Sequence, residues 1–585
     1  MTKLDSAQSV ALLSSAANKV VVAGPGSGKT RTLVALVARE CTRYSAAQVA
    51  VLTFTNAAAD EIKERLARDS NMDARLGFCG TLHSFLFLLL RSYPEHSGLP
   101  GSLALVEPGT ADELLETVRA EMGVKVSGKR LQEAAREEYA KWLTSQSQPH
   151  FPEPESLDTR EAIAAKEFYR RLITSGLLTF DTLLVFGLRL VIALTKAGKW
   201  PYRAVLWDEG QDGSGVDFDV LESCGAERKV IVADVDQSIY GFRGAEPARL
   251  VALTQPGSQW ETITFETNYR SCQAVCRAAN RLIGHNLDRL PKSTVPHRQE
   301  EGMSEAIPCH SQGGEIAVVT ARIREFMEAG SSCSDIAILA RTRRRAATFS
   351  EALMASGMPV RKRPEEAPAP ADWKVAKLLL TAAAAPWSDF AVYGYVAMRE
   401  GKQEADMLLR KAQLDGKPLK DLYLGSEDMW PESGDARLTP SDVADILTRH
   451  SLSRESVEKA RGIAESLGGR RDPRNLAASL SEPPEKPDDG DMAGVTICTA
   501  HAAKGREFKH VFVVGMEEGT FPARKSMDSI EEERRLFFVA LTRARDTVTC
   551  TWCRELPSYR GPTLQHGPAE PMEPSRFLFE SGLIT

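Results

Sequence analysis

Short runs of β-branched and apolar residues recur along the chain: Val20-Val21-Val22, Val49-Ala50-Val51-Leu52, Val205-Leu206-Trp207, Val230-Ile231-Val232 and Val511-Phe512-Val513-Val514. Each is too brief for a helix and lacks the polar alternation of a half-exposed strand. They predict strands buried on both faces, in parallel sheets whose crossovers are the helical patterns between them. The fold class is α/β. The pattern changes in two places. From about Glu107 to Ser175 helix formers of mixed charge take over, as in Asp112–Val118 and Lys129–Arg136. A second mainly helical stretch lies between Pro364–Pro370 and Ser481–Asp491, two Pro- and acid-rich segments that read as linkers.

The chain has 585 residues, more than one hydrophobic core holds, so several domains are expected. Its strongest apolar run, Phe85–Leu90, is too short to cross a bilayer, and Met1–Asp5 has no signal-peptide character. A cytoplasmic protein is the expectation, with no membrane partner. The formal net charge of −6 points away from a broadly basic nucleic-acid binder, though not from a local basic groove. Ten cysteines are present and only Cys550 and Cys553 form a CxxC pair. With no second close pair to complete a four-ligand site, and with Cys272 and Cys276 at helical spacing, buried free thiols are expected.

The run from Val20 to Thr30 reads as a strand, a Gly-rich loop and a helix start. Ala23 holds the place where a phosphate-binding loop ordinarily opens with Gly; Gly24, Pro25, Gly26, Ser27 and Gly28 then lead to Lys29 and Thr30. Such a loop turns backbone N–H groups and a helix N-terminus toward a phosphate. Lys29 would pair with the β- and γ-phosphates of ATP, and Thr30 would place its hydroxyl on Mg2+. Downstream, the apolar strand Ala204–Trp207 ends in Asp208 and Glu209. Asp208 is placed to hold Mg2+, and Glu209 to orient and deprotonate the attacking water.

A series of motifs in a specific order accompanies these two. They are Leu4–Gln8, Leu52–Ala59, Gly80–Phe85, Asp208–Asp212, Ala233–Ala245, Asn268–Ser271, Thr499–Phe508 and Glu532–Ala544. In this order the chain resembles the UvrD/Rep family of superfamily 1A DNA helicases. The resemblance implies two RecA-like P-loop motor domains, parallel sheets flanked by helices, with two mainly helical insertions. Domain 1A would span 1–106 and 176–255 with insertion 1B at 107–175. Domain 2A would span 256–370 and 491–585 with a reduced insertion 2B at 371–490.

The resemblance also implies roles. Gln8 would read adenine, Tyr269 stack on it, Glu507 contact the ribose and Arg31 lie near the base. Gln237, Arg270 and Arg543 would act at the γ-phosphate beside Lys29, Asp208 and Glu209. Phe54, Tyr240 and Phe242 resemble an aromatic track for single-stranded DNA, with Asn56, His83, Arg243 and His501 on its backbone. A lone arginine in Glu533-Arg534-Arg535 is ordinarily an exposed ion-pair partner. The implied activity is ATP-driven 3′→5′ movement on single-stranded DNA and at single-strand/duplex junctions, of the kind used in DNA repair. The sequence departs from the family at Arg506, an apolar place in relatives, which puts a charge beside Glu507. It also has a short 2B segment and ends soon after the last motif, leaving little room for a nuclease domain or a C-terminal interaction tail. The reduced 2B motivates an alternative: a DNA-stimulated ATPase serving as a switch for a partner nuclease, as in a Gabija-like phage-defence pair, or acting beside a repair protein.

Overall fold

The computed structural model describes residues 4–70, 76–144, 159–361, 370–385, 387–424, 439–466, 494–524, 529–560 and 565–585. Of the two expected linkers, Ser481–Asp491 and all of Pro364–Pro370 but its last residue lie outside the described residues. Within them the apolar runs form the middle of two six-stranded sheets. The first contains β1 (Asn18–Ala23), β2 (Val49–Thr53), β3 (Phe78–Thr81), β4 (Ala204–Asp208), β5 (Arg228–Ala233) and β6 (Glu261–Phe265), in the order β3-β2-β4-β5-β1-β6. The second contains β7 (Met303–Cys309), β8 (Ile336–Ala340), β9 (Val360–Arg361), β10 (Val495–Thr499), β11 (Phe508–Val514) and β12 (Ala544–Cys553), in the order β7-β12-β11-β8-β10-β9. Every pairing in both sheets is parallel. β2 and β4 are buried along their whole length, as strands covered by helices on both faces must be.

Parallel pairing has a consequence for chemistry. All strands of a sheet end on the same edge, so the residues that follow them are gathered there whatever their sequence separation. On the first sheet that edge receives the loop after Ala23, Phe54 after β2, Glu209 after β4 and Asp234 after β5. On the second sheet the opposite, N-terminal edge matters. Glu507 precedes β11 and Arg543 precedes β12, and the Phe508 N–H bonds to the Arg543 carbonyl at 2.9 Å.

The chain divides into two compact units. One holds both sheets and draws on residues 1–81, 201–362 and 489–585. The other is helical and draws on 82–200 and 363–488. The helical unit thus begins at Leu82, wider than an insertion at 107–175. The reason is visible in its core. The helix Leu82–Ser92 carries the apolar run Phe85–Leu90 and packs on the helix Phe180–Lys196. Gly187 makes that packing close: a Cβ there would meet Leu86 at 2.7 Å. The helix Trp373–Ala384 in turn packs on Pro108–Glu121, where Lys377 bonds to the buried Glu107 at 2.9 Å. Both helical stretches therefore share one unit. Among the described residues no helix is long and apolar enough to cross a membrane.

Candidate nucleotide site and aromatic track

The Gly-rich loop is held from two sides. Gly26 and Gly28 have φ of +67° and +80°, a region that L side chains rarely adopt. A Cβ on Gly26 would lie 2.7 Å from the Arg270 Cβ, and one on Gly28 would lie 2.9 Å from the Gln8 Nε2. Gln8 closes a capping box with Asp5 at the start of the helix Ser6–Leu13, then donates from Nε2 to the Ser27 carbonyl at 2.9 Å. From the other side Asn268 donates to the Pro25 carbonyl and the Tyr269 N–H to the Gly26 carbonyl, both at 2.9 Å. The Tyr269 hydroxyl reaches Asp5 at 2.7 Å, and its half-exposed ring lies 4.8 Å from that of His297. Arg31 is near enough to Tyr269 to act on its hydroxyl electrostatically. Gln8, Arg31 and Tyr269 thus meet beside the loop.

Lys29 and Thr30 open the helix Lys29–Arg43. Lys29 Nζ lies 3.8 Å from a Glu209 carboxylate oxygen, and both Lys29 Nζ and Asp208 Oδ1 are buried without a hydrogen-bond partner. A buried cation and a buried carboxylate oxygen left this way are costly unless a ligand completes them. Their chemistry fits a phosphate on one side and a divalent cation on the other. Burial, then the neighbouring Glu209 charge, pushes the Asp208 carboxyl up to about 7. Burial would raise Glu209 as well, but Lys29 and Lys504 overcome it and hold that carboxyl below its ordinary value. Glu209 also has φ +55°, a left-handed backbone for a residue other than Gly, which costs about 1–3 kcal/mol and recurs at active sites. Gln211 secures it, donating to the Glu209 carboxylate while accepting from the Asp234 N–H.

Two arginines complete the cluster, Arg543 from before β12 and Arg270 from the stretch that follows β6. Arg543 is fully buried and donates to the Val539 carbonyl at 3.0 Å, the Arg506 carbonyl at 3.1 Å and Gln237 Oε1 at 3.4 Å. Burial, then Arg270, lowers its pKa to about 9. Arg270 pairs with Glu507 at 2.7 Å and donates to the Thr542 carbonyl at 3.2 Å. The Arg506 guanidinium lies 5.1 Å from the Phe508 ring centre. Arg534 and Arg535 are buried, not exposed, each 7% accessible. Arg534 bonds to Asn286 and Glu580, and Arg535 to the Asp288 carbonyl, so both anchor neighbouring chain.

Phe54 and Tyr240 stack at 5.0 Å, Tyr240 meets Phe242 at 6.0 Å, and Phe242 meets His501 edge-on at 5.8 Å. Phe242 is 69% exposed, and Arg243 lies over both the Tyr240 and Phe242 rings. This is an aromatic row with a cation beside it, open at one ring. Burial, then Arg341, lowers His501 to about 4, so it is neutral at pH 7. Asn56 is half-buried at the start of the helix Asn56–Ser70. His83 is in the helical unit, with its ring edge-on to Phe180 at 5.2 Å, and burial lowers it to about 4.

Lys504 lies within the Thr499–Phe508 motif, and its residue type alone signals no role. The structure puts its largely buried amine on Asp212, on the Gln237 carbonyl at 3.0 Å and 4.9 Å from the Tyr240 ring centre. It therefore joins the acidic cluster to the aromatic row. All ten cysteines are free. Glu315, Glu517 and Cys553 bring three ligand atoms within 4.8 Å of one another, but the Arg345 guanidinium donates to all three, so a cation has no place there.

Residues 4–256 match the family model described as the UvrD/REP helicase N-terminal domain. Residues 263–365 and 475–555 match the UvrD-like helicase C-terminal domain. The ATP-dependent DNA helicase PcrA of Staphylococcus epidermidis is 25% identical over 639 residues, covering 99% of this chain and 86% of the relative. PcrA of Staphylococcus aureus is 25% identical over 643 residues with the same coverage. A probable DNA helicase II homolog of Mycoplasma capricolum is 24% identical over 623 residues, covering 96% of this chain and 84% of its own length.

Proposed function

The chain belongs to the UvrD/REP helicase family, and on that premise we propose that it is an ATP-driven motor that moves 3′→5′ along single-stranded DNA and opens junctions with duplex. The observation that supports this most is the meeting at Gln237. Arg543 reaches its side chain from before β12, Lys504 bonds to its carbonyl, and Lys504 also lies against the aromatic row. The nucleotide residues and the strand-binding residues thus share one short chain of contacts.

In this reading Lys29 binds the β- and γ-phosphates, while Gln8, Tyr269, Arg31 and Glu507 hold the nucleoside. Thr30 and Asp208 would hold Mg2+, which when bound would supply positive charge to offset that of the phosphates. Glu209 orients water and accepts its proton at a carboxylate oxygen that Lys29 and Lys504 keep ionised. Arg543 and Arg270 stabilise the charge that builds on the transferring group. Because Arg543 comes from a different sheet than Lys29, the presence of the γ-phosphate decides how the two sheets' residues close on it. Arg270 must leave Glu507 to take part, which ties its arrival to nucleotide binding.

Phe54, Tyr240 and Phe242 hold bases by stacking, without reading their edges. Phe242→Ala is expected to weaken binding to oligo(dT) by about 1–3 kcal/mol, the usual worth of one stacked base, in a fluorescence-anisotropy titration. Unchanged affinity would remove Phe242 from the track. The function as a whole is tested with duplexes carrying a 3′ or a 5′ single-stranded tail. Unwinding of the 3′-tailed substrate alone is expected. Turnover of ATP with neither duplex opened would overturn the reading in favour of a switch that serves a partner.

A further inference from the structure

Asp234, directly after β5, has both carboxylate oxygens engaged. Oδ1 takes the Lys292 amine and the Asp236 N–H, the latter at 3.1 Å, and Oδ2 takes the Gln237 Nε2. Lys292 also lies 3.2 Å from Asp236, which Arg289 holds at 3.1 and 2.8 Å. Lys292, Asp234 and Asp236 are all buried. No role at the nucleotide site has been given to Lys292, yet the next residue along this chain of bonds is Gln237, whose Oε1 accepts from Arg543.

The segment that carries Lys292 is fixed to the helix Ile530–Leu541, which leads directly to Arg543. The Leu287 N–H donates to Glu531 at 2.7 Å, and Arg535 donates to the Asp288 carbonyl at 2.6 Å. Gln237 is therefore gripped from both sides by groups tied to one helix. We propose that Lys292 is a positioning residue for ATP hydrolysis, acting through Asp234 to fix the side-chain amide of Gln237 so that its oxygen faces Arg543.

The argument is one of donors and acceptors. An ionised Asp234 offers only acceptors, so it must take the Gln237 NH2 group and leave the amide oxygen for the guanidinium, which offers only donors. Burial favours the neutral form of a carboxylate, and a cation beside it favours the charged one. Lys292, helped by Lys29, overcomes the effect of burial and holds Asp234 below the ordinary range. Without Lys292 a protonated Asp234 could donate to the amide oxygen, and the amide would then turn its own NH2 toward Arg543.

The inference rests on the reading of Gln237 as part of the hydrolytic site, so the test is a double-mutant cycle. ATP turnover would be measured at saturating oligo(dT). Lys292→Met is expected to lower kcat about tenfold, with the KM for ATP and the affinity for oligo(dT) within about twofold of the parent. In a Gln237→Ala background the same change should alter kcat by less than about twofold. Asp234→Asn, which keeps the shape and removes the charge, should show the same pattern and serves if Lys292→Met does not fold. An equal loss of kcat in both backgrounds would overturn the inference alone, since Lys292 would then act independently of Gln237. Unchanged kcat in Gln237→Ala would overturn both the inference and the reading of Gln237. A KM that rises in step with the fall in kcat would also count against positioning.

Discussion

Arg543→Ala is expected to reduce DNA-stimulated ATP turnover by about 10³-fold or more, the range found when an arginine that stabilises a transferring phosphoryl group is removed. The side chain is unusual in being wholly buried and held by two backbone carbonyls and Gln237 before any nucleotide is considered. Four acceptors fix its direction, the fourth being the Thr542 hydroxyl at 3.3 Å, so little reorganisation is needed when charge develops on the phosphate. Because its role is to meet charge that develops in the transfer, the loss is expected in kcat with nucleotide affinity largely kept. Multiple-turnover assays with a titration of a fluorescent ATP analogue separate the two. Because alanine also strands the Val539 and Arg506 carbonyls, a thermal melt should accompany the assay. Turnover within about tenfold of the parent would remove Arg543 from the site.

Lys29→Ala is expected to cost roughly 10²–10³-fold in turnover, as for loss of one preorganised group at a developing charge. Here, unlike Arg543, binding should suffer as well. Lys29 Nζ is buried without a hydrogen-bond partner and lies 3.8 Å from Glu209, so its N–H donors are open to a phosphate. Its removal also withdraws the leading cause that holds Glu209 ionised against burial. The pH–rate profile of Lys29→Ala should therefore shift its acidic limb upward, since a base with a raised pKa is protonated at higher pH. A parent-like rate and profile would refute both roles.

The fold was legible in the sequence where strands are covered on both faces. β1, β2, β4, β5 and β11 stand out by uniform apolar runs because their middles are buried on both faces, and their polar residues fall at the ends. β12 does not stand out, although it lies between β7 and β11, because threonines and charges interrupt it. β7, at the edge of the same sheet, carries Ser, Glu and Pro. The extent of the helical unit was hidden for a different reason. Leu82–Ser92 and Phe180–Lys196 look like any helices, and only their packing on each other shows which unit they join.

At the site, residue types in motif order located the loop, the two acids and the aromatic row. They did not reveal which ions pair. Lys504 meets Asp212, and Lys292 meets Asp234, across long stretches of chain with no local signal. The same holds for Arg534 and Arg535, whose partners Asn286, Glu580 and Asp288 are remote in sequence. A helical surface pattern rightly suggests exposure for arginines until something distant covers them.

The strand order of the second sheet sets a timetable for biosynthesis. β7 ends at Cys309, but among the described residues its one partner in the sheet is β12, which is not complete until Cys553 has been made. At roughly 5–20 residues per second the ribosome needs on the order of ten to fifty seconds to cover that stretch. Throughout it, the unpaired edge of β7 and the apolar faces awaiting β11 and β12 are open to other nascent chains. The first sheet, complete by Phe265, can close long before. The two sheets can therefore close at different moments, the second only once its last long strand has been made.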